Sequence, residues 1–311
     1  MSGLISILLK PFFYFRILHL KGKKQLTTLC FHNISSTYDP YYPALHPYIF
    51  EDLCKYFSKH FQVVNFKTIE QYQNSKKPLM VISFDDAYLD YYEVALPILE
   101  KYNLTSVLNV ITVCPDEKRT YIWQTFVNFF KRIDNEQCLK FGRHYNFYYN
   151  NFNPEQFVLA FTQFFQSLEK PDIDNLALKY LEERDYKASK MMSWDQIREV
   201  NQKGHEIGAH THNHYYINSL KKEEIAFELK HSKKRLEEEL NIPISTFAFP
   251  GAKYNEENIT LAESIGLKNC LLMENKTTSI GSNRIYRYLS YGNSTVRLLI
   301  QSLGIESLLR R

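Results

Sequence analysis

The sequence lacks a Cys-x-x-Cys pair, and its five cysteines are odd in number and scattered over 311 residues. A disulfide framework is therefore not expected, and the thiols favour a reducing compartment. The net charge is +4 without a dense basic block, which argues against nucleic-acid binding. There is also no internal repeat and no low-complexity tract. A hydrophobic content of 44% is enough for one large core.

The two ends of the chain lack an uninterrupted hydrophobic run. Lys10, Pro11 and Arg16 break the apolar sequence near the start, so we expect neither a signal peptide nor a membrane-spanning helix there. Residues 1–25 are predicted to form an apolar, amphipathic segment, and residues 296–311 an amphipathic helix. Packing on the outside of the fold and peripheral membrane contact are both open interpretations. We expect a cytoplasmic protein, with peripheral attachment to the inner membrane as the alternative.

Apolar runs alternate with stretches of helical periodicity along most of the chain. This alternation is typical of parallel βα units, and the length favours one α/β barrel over two small domains. Between about residues 115 and 190 the pattern is helical and rich in Phe and Tyr, which indicates a helical insertion. The insertion either covers a substrate cleft or has its aromatic residues for packing alone. The charged helix predicted over 221–240 is expected to be solvated. Strands are predicted at 26–31, 62–66, 79–84, 105–113, 205–209, 246–249 and 267–272.

Two adjacent carboxylates, Asp85 and Asp86, follow the predicted strand 79–84. Neighbouring side chains on an extended backbone point to opposite sides, so one carboxylate can bind a metal while the other moves a proton. A pair of aspartates also commonly caps a helix, and this stretch alone does not separate the two interpretations.

Three histidines stand within five residues after the predicted strand 205–209. His210 and His214 are four residues apart, so one turn of helix would direct both imidazoles to the same side. With one carboxylate they form a common divalent-metal set that leaves positions open for water and substrate. A zincin helix has its glutamate base directly after the first histidine, but Thr211 stands there. Asp85 is the natural replacement for that base.

The Asp pair, the histidine cluster, His32 and the loop at Pro250 each follow a predicted strand. Functional groups in parallel α/β folds gather at the carboxyl ends of strands, so we expect these four segments to meet. A purely structural use of the histidines is the alternative, but three of them beyond one strand are hard to place in a core. The pattern therefore predicts a metal centre.

Several of these motifs resemble those of the polysaccharide deacetylases, carbohydrate esterase family four. Ser-Phe-Asp-Asp at 83–86, His-Thr-x-x-His at 210–214 and Phe-Ala-Phe-Pro-Gly at 247–251 are similar to the first three family motifs. The resemblance covers about residues 26–290, and the two metal motifs together are highly specific. Further similar stretches are 29–32, 192–195 and 204–208.

The resemblance implies a distorted (β/α)7 barrel, here over 26–295 including the helical insertion, and metal-dependent hydrolysis of an N-acetyl group on an amino sugar. Carried over, Asp86, His210 and His214 would ligate a divalent cation, zinc with cobalt or nickel as alternatives. Asp85 would be the base that deprotonates the attacking water, and the cation would polarise the amide carbonyl.

The loop after the third motif would hold the oxyanion of the reaction through a backbone N–H after Pro250. The family usually has an aromatic residue after the proline, whereas this chain has Gly251 and Ala252, with Tyr254 further on. A glycine-containing loop can still present an N–H group.

The general acid of the family is typically a late histidine, but no histidine follows His231. His32 is our candidate for the proton donor, with His212 behind it, and a buried structural histidine is the alternative for His32. Arg284 and Arg287 lie where the family has an arginine that orients the active-site acids. Surface salt bridges are the alternative for both arginines.

The resemblance thus implies N-deacetylation of an amino sugar in a polysaccharide, an oligosaccharide or a glycolipid precursor. The expected partner is an N-acetylated carbohydrate. The first alternative is a catalytically weakened barrel that only binds carbohydrate, which the missing late histidine supports. A non-haem iron oxygenase shares the set of two histidines and one carboxylate, but it would leave Asp85 without a task.

Overall fold

Seven parallel strands close into a barrel in the structure, a computed structural model that describes residues 24–290 and 298–299. In spatial order, strands 1, 3, 4, 5, 6, 7 and 9 pair in parallel, and the last returns to the first. This confirms the predicted (β/α)7 fold. The described strands are β1 (Gln25–Phe31), β2 (Gln62–Val63), β3 (Leu79–Phe84), β4 (Val107–Val110), β5 (Glu206–Ala209), β6 (Thr246–Ala248), β7 (Asn269–Met273), β8 (Thr278–Ser279) and β9 (Arg284–Leu289).

The strands of the barrel have the composition that burial on both faces demands. All six residues of β3 are buried, as expected for a parallel strand that is covered inside and outside. Two details differ from the strand prediction. The predicted strand 62–66 is reduced to β2, which pairs only with the start of β3. The seventh barrel strand is β9, whose two arginines interrupt the apolar pattern that the prediction relied on.

Helices surround the barrel and connect its strands. Ser193 caps the helix Trp194–Gln202 in a capping box with Gln196. One π-helical turn, Tyr91–Ala95, precedes α2. The described α-helices are α1 (Pro47–His60), α2 (Leu96–Lys101), α3 (Val113–Glu117), α4 (Ile122–Arg132), α5 (Asn135–His144), α6 (Pro154–Ser167), α7 (Lys170–Tyr180), α8 (Glu183–Lys187), α9 (Trp194–Gln202), α10 (Lys222–Leu240) and α11 (Glu256–Ser264).

The insertion between β4 and β5 consists of α3 to α8 and has a hydrophobic core of its own. Its centre is aromatic: the ring centroids of Phe130 and Phe161 lie 4.8 Å apart, and those of Phe126 and Phe161 lie 5.3 Å apart. The insertion therefore packs as a layer on the barrel with its own cluster of buried side chains.

The predicted terminal segments fall outside the described residues, apart from Lys24, Gln25, Leu298 and Leu299. Among the helices that are described, none is both long enough and apolar enough to cross a membrane. All five cysteines are buried and free.

We predict that Phe161→Ala lowers the free energy of unfolding by about 3–5 kcal/mol, because it leaves a cavity in the aromatic core of the insertion. The control is Leu159→Ala on the same helix, since Leu159 is 60% exposed whereas Phe161 is fully buried. Denaturant unfolding followed by circular dichroism measures both. Equal losses in the two variants would contradict the assignment of this core.

Candidate metal centre and active site

The candidate site lies at the carboxyl ends of β3 and β5, where Asp86, His210 and His214 meet. The Nε2 atoms of His210 and His214 lie 3.4 and 3.5 Å from Oδ1 of Asp86. All three side chains are buried, and their ligand atoms lie within 4.8 Å of one another. The sequence prediction that these residues converge across about 125 positions therefore agrees with their positions in the structure.

When both imidazoles are neutral, the atoms that face one another in this cluster are acceptors. Nδ1 of His210 lies 2.7 Å from the carbonyl oxygen of Ala248. Because a carbonyl only accepts, Nδ1 carries the hydrogen and Nε2 of the neutral ring directs its lone pair at Asp86. Oδ1 of Asp86 is buried and has no hydrogen-bond partner. Buried acceptors facing each other without a donor are costly, and a cation between them would remove that cost.

The dimensions of the cluster fit a small divalent ion. Two ligands at about 2.1 Å from a zinc ion in tetrahedral geometry lie about 3.4 Å apart, close to the two distances from Asp86 Oδ1. Burial lowers the pKa of His214 to about 3, so this imidazole is neutral and available as a ligand. Burial alone would also lower the pKa of His210, but the neighbouring carboxylates of Asp85 and Asp86 raise it. The two carboxylates therefore favour a positive charge beside His210, either a proton on Nε2 or a bound cation.

The backbone at the Asp pair is strained. Asp86 has a φ of 76° and Ala87 a φ of 58°, in the left-handed region that side chains other than glycine rarely adopt. The segment after the insertion holds this turn: Met192 N donates to Ala87 O at 3.0 Å, and Leu89 N donates to Lys190 O at 3.0 Å. Such conformations persist where the surrounding structure fixes them, and they concentrate at functional sites.

The histidine loop is not helical, which corrects the prediction that one helical turn aligns the imidazoles. Thr211 and His214 have φ values of 64° and 61°, and His214 N donates to Oγ1 of Thr211 at 3.0 Å. Two left-handed residues thus bring the histidines together where a helical turn was expected. The two imidazoles converge as predicted, but the backbone between them forms a loop.

Glu228 holds this loop from outside the cluster, and the sequence analysis missed it. Its carboxylate accepts from the backbone N–H groups of His212 and Asn213, both at 2.8 Å, and from the Asn213 side chain at 2.8 Å. Glu228 is 3% exposed, although α10 was expected to be solvated. Its position on the buried stripe of α10, next to Leu229, was the available signal.

The second aspartate, Asp85, is held by an arginine and an amide. Both nitrogens of the Arg287 fork donate to Asp85, at 2.8 and 3.0 Å, and Asn109 Nδ2 donates at 2.7 Å. Burial alone would raise the pKa of Asp85, but the Arg287 guanidinium, together with His210 and His32, outweighs burial and lowers the pKa. Asp85 is therefore ionised at neutral pH. Gly208 leaves room for Asn109, since a Cβ there would lie 2.3 Å from Oδ1 of Asn109.

The structure separates the two predicted arginines. Arg287 is 1% exposed and contacts Asp85 as described. Arg284, the first residue of β9, forms a surface salt bridge with Glu256 at 2.6 Å. The surface alternative thus describes Arg284, and only Arg287 reaches the Asp pair.

The two candidate proton donors occupy different places. A ring nitrogen of His32 lies within 4.8 Å of Sγ of Cys30 and of a carboxylate oxygen of Asp85. We do not assign an ion to this group, because Arg287 already neutralises Asp85 and burial raises the pKa of the Cys30 thiol. Nδ1 of His212 instead lies 2.8 Å from Oγ1 of Thr112. The ring centroid of His212 lies 4.3 Å from that of His231. His32 is therefore beside the Asp pair, whereas His212 faces α10.

Pro250 lies in the loop after β6 and is buried. Gly251 has a φ of 58°, and a Cβ on it would lie 2.1 Å from the ring of Tyr216. The ring centroid of Tyr216 lies 6.2 Å from that of His214. Ala252 follows with a φ of 57°, and the hydroxyl of Tyr254 lies 3.4 Å from Glu274. The tight turn thus approaches the histidine side of the site, while Tyr254 is engaged elsewhere.

A family model described as Polysaccharide deacetylase matches residues 72–270, more than half of the chain. The chain belongs to the polysaccharide deacetylase family. The matched residues include Asp85, Asp86, His210, His214 and the loop at Pro250, so the resemblance of the motifs and the family match coincide. No curated protein matches the chain in sequence.

Solved structures with the same fold are deacetylases of low sequence identity. Deacetylase PplD of Streptococcus pyogenes in complex with acetate has a TM-score of 0.62 at 18% identity, covering 89% of this chain and 98% of that one. IcaB from Ammonifex degensii has a TM-score of 0.58 at 16% identity, and the match covers 90% of this chain and 97% of that one. The de-N-acetylase from Aggregatibacter actinomycetemcomitans has a TM-score of 0.55 at 18% identity, and the match covers 88% of this chain and 99% of that one. These likenesses support the barrel architecture of the deacetylase family.

A polar cavity of about 280 Å³ lies between the loop after β1 and the insertion of this deacetylase-family chain. Asp90, Tyr42, Tyr88 and Gln124 are among the residues that line it. Asp90 accepts a hydrogen bond from the backbone N–H of Ile34 at 3.1 Å, and burial raises its pKa to about 7. This carboxyl group therefore changes charge near neutral pH.

We predict that Glu228→Ala destabilises the protein by about 1–3 kcal/mol, because it leaves buried N–H groups of the histidine loop without an acceptor. Glu238→Ala on the exposed face of the same helix is the control. Denaturant unfolding gives the difference. A loss no larger than that of the control would show that Glu228 does not hold the loop.

We predict that wild-type stability falls as pH rises towards about 7, and that Asp90→Asn makes this fall smaller. Since the folded-state pKa of about 7 lies above an unfolded-state value of about 3.9, the contribution of Asp90 is complete below pH 4 and is lost above pH 7. The loss is at most about 4 kcal/mol.

Unfolding by urea at pH 5 and pH 8 measures this effect. Asp52→Asn, which removes an exposed carboxylate on α1 away from this cavity, should retain the wild-type dependence. The same decline from pH 5 to pH 8 in Asp90→Asn and the wild type would contradict the assignment.

Proposed function

We propose that this protein is a metal-dependent hydrolase that removes an N-acetyl group from an amino sugar in a polysaccharide, an oligosaccharide or a glycolipid precursor. The observation that carries the proposal is the buried set of acceptor atoms on Asp86, His210 and His214, with the ionised Asp85 beside it. Membership of the polysaccharide deacetylase family supports the same chemistry.

Asp85 is placed to act as the general base. Its Oδ2 lies 4.0 Å from Nε2 of His210, so the carboxylate stands directly beside the candidate metal ligands. Arg287 and Asn109 fix the carboxylate, so it can accept a proton from the attacking water without moving. Because Arg287 keeps Asp85 a weak base, a bound divalent cation has to supply the acidity of that water, and it also polarises the acetamide carbonyl.

The leaving amine needs a proton, and His32 is our candidate for the donor. Its ring nitrogen lies within 4.8 Å of an oxygen of Asp85, on the β1 side of the site. The oxyanion can be held by a backbone N–H of the loop after Pro250, where Gly251 lies on the histidine side of the site against Tyr216. In this proposal the proton donor follows β1, the general base follows β3, and the N–H group for the oxyanion follows β6.

The structural neighbours support the substrate class. One is a de-N-acetylase, and another is a deacetylase in complex with acetate, the product that this reaction would release. Five free, buried cysteines support our proposal of a reducing compartment such as the cytoplasm. Peripheral membrane contact through 1–25 and 296–311 stays a prediction from the sequence.

We predict that Asp85→Asn reduces acetate release by about 10²–10⁴-fold while metal content is retained, because the base is lost but the ligands are intact. His210→Ala should lose both bound metal and activity. The assay measures acetate released from N-acetylated glycans with zinc, cobalt or nickel supplied, and elemental analysis measures the metal.

His231→Ala is the matched control, since His231 lies on α10 against His212 and should leave both quantities unchanged. Full activity of folded Asp85→Asn would refute the base assignment. Metal-loaded wild type that binds glycans but releases no acetate across the panel would instead favour the carbohydrate-binding alternative.

A further inference from the structure

The second oxygen of Asp86 is bound by a residue of the insertion. The hydroxyl of Tyr121 donates to Oδ2 of Asp86 at 2.9 Å. Tyr121 is 2% exposed, and it immediately precedes α4. With Oδ2 occupied by this hydrogen bond, Oδ1 is the oxygen that faces the two imidazoles. The insertion therefore determines which oxygen of Asp86 is free.

Tyr121 also contacts a second residue of the cluster. Its ring centroid lies 4.3 Å from that of His214. Nδ1 of His214 is buried and has no hydrogen-bond partner, whereas Nδ1 of His210 has the carbonyl of Ala248. Metal-binding histidines usually have their other ring nitrogen held by a hydrogen bond, which fixes the ring. For His214 that hydrogen bond is missing, and packing against Tyr121 takes its place.

Other buried groups fix Tyr121 itself. Its hydroxyl oxygen lies 2.8 Å from that of Tyr88, which in turn lies 2.7 Å from Oε1 of Gln124. The ionised Asp86 cannot donate, so the Tyr121 proton goes to Asp86 and the Tyr88 proton goes to Tyr121 or Gln124. Thr125 Oγ1 also donates to the carbonyl of Tyr121 at 2.9 Å. Tyr121 is thus held at both its backbone and its hydroxyl.

We propose that Tyr121 is a positioning residue through which the insertion sets the affinity of the metal centre. It orients Asp86 by a hydrogen bond and His214 by ring contact, so two of the three ligands depend on it. This inference rests on the metal centre of the proposed function, but it concerns metal affinity and not the identity of the substrate.

The test is Tyr121→Phe, which keeps the ring on His214 and removes only the hydroxyl. Metal-free protein is titrated with Zn²⁺ against a competing chromophoric chelator to give the Kd. We expect the Kd to rise by about 10–100-fold, the usual effect of removing a group that orients a metal ligand. With Co²⁺ in place of Zn²⁺, the visible absorption spectrum should change as the ligand geometry relaxes. Saturating Zn²⁺ should restore most of kcat.

The matched control is Tyr148→Phe. Tyr148 is a buried tyrosine of the same insertion, 3% exposed, whose hydroxyl donates to the carbonyl of Asn151 at 2.8 Å. Each change removes one buried hydroxyl, but only Tyr121 reaches the cluster. The control should bind Zn²⁺ within about twofold of the wild type, and circular dichroism of both metal-free variants checks that they fold.

A Kd of Tyr121→Phe within about twofold of the wild type would overturn the proposal. Wild-type protein that binds no Zn²⁺ would overturn both this inference and the proposed function. Wild-type protein that binds Zn²⁺ but releases no acetate, with a weakened Tyr121→Phe, would support the inference and refute the proposed function alone.

Discussion

The structure of the site depends on three buried electron-pair donors that face one another: Oδ1 of Asp86 and the Nε2 atoms of His210 and His214. Such an arrangement is unfavourable unless a positive charge lies between the atoms. Much of the surrounding structure can be understood as holding it in place. The strained turn at Asp86, the left-handed Thr211 and the hydrogen bond from His210 to Ala248 each fix one donor.

The two adjacent aspartates show how surroundings assign different tasks to the same chemical group. Asp85 is paired with a guanidinium and an amide, so its charge is compensated by the protein itself. Asp86 faces imidazoles and has one oxygen left unpaired. Adjacent carboxylates with such different partners are a common way to separate a proton carrier from a charge binder. In the proposed reaction, only Asp86 is left for a cation, and only Asp85 is left to take a proton.

The sequence predicted the barrel and the converging Asp and His motifs because these depend on periodicity and on strand ends, which are local patterns. It did not identify β9, since Arg284 and Arg287 break the apolar run, and so it could not choose between the two arginines. Asn109 had a signal, an amide within the apolar run of β4. Tyr121 had none: it is one of 23 tyrosines, and its role depends on the packing of distant segments.

Glu228 illustrates a different limit of the prediction. A charged residue on a charged helix is usually solvated, and composition gave no reason to treat it otherwise. Its burial follows from the helix docking next to β5, where the loop at His212 offers N–H groups without other acceptors. Tertiary packing therefore converts an ordinary surface residue into a support of the site.

The insertion contacts the Asp86 turn with both of its ends. Near its entry, the Tyr121 side chain reaches the carboxylate, and after its exit, Met192 and Lys190 bind the backbone on either side of Tyr88. A shortened barrel, with the chain rejoined across the gap between β4 and β5, would keep every ligand in its sequence and still lose the scaffold that shapes the turn. Attempts to engineer a minimal catalyst from this chain would therefore have to supply a new brace for Asp86 before trimming the helices.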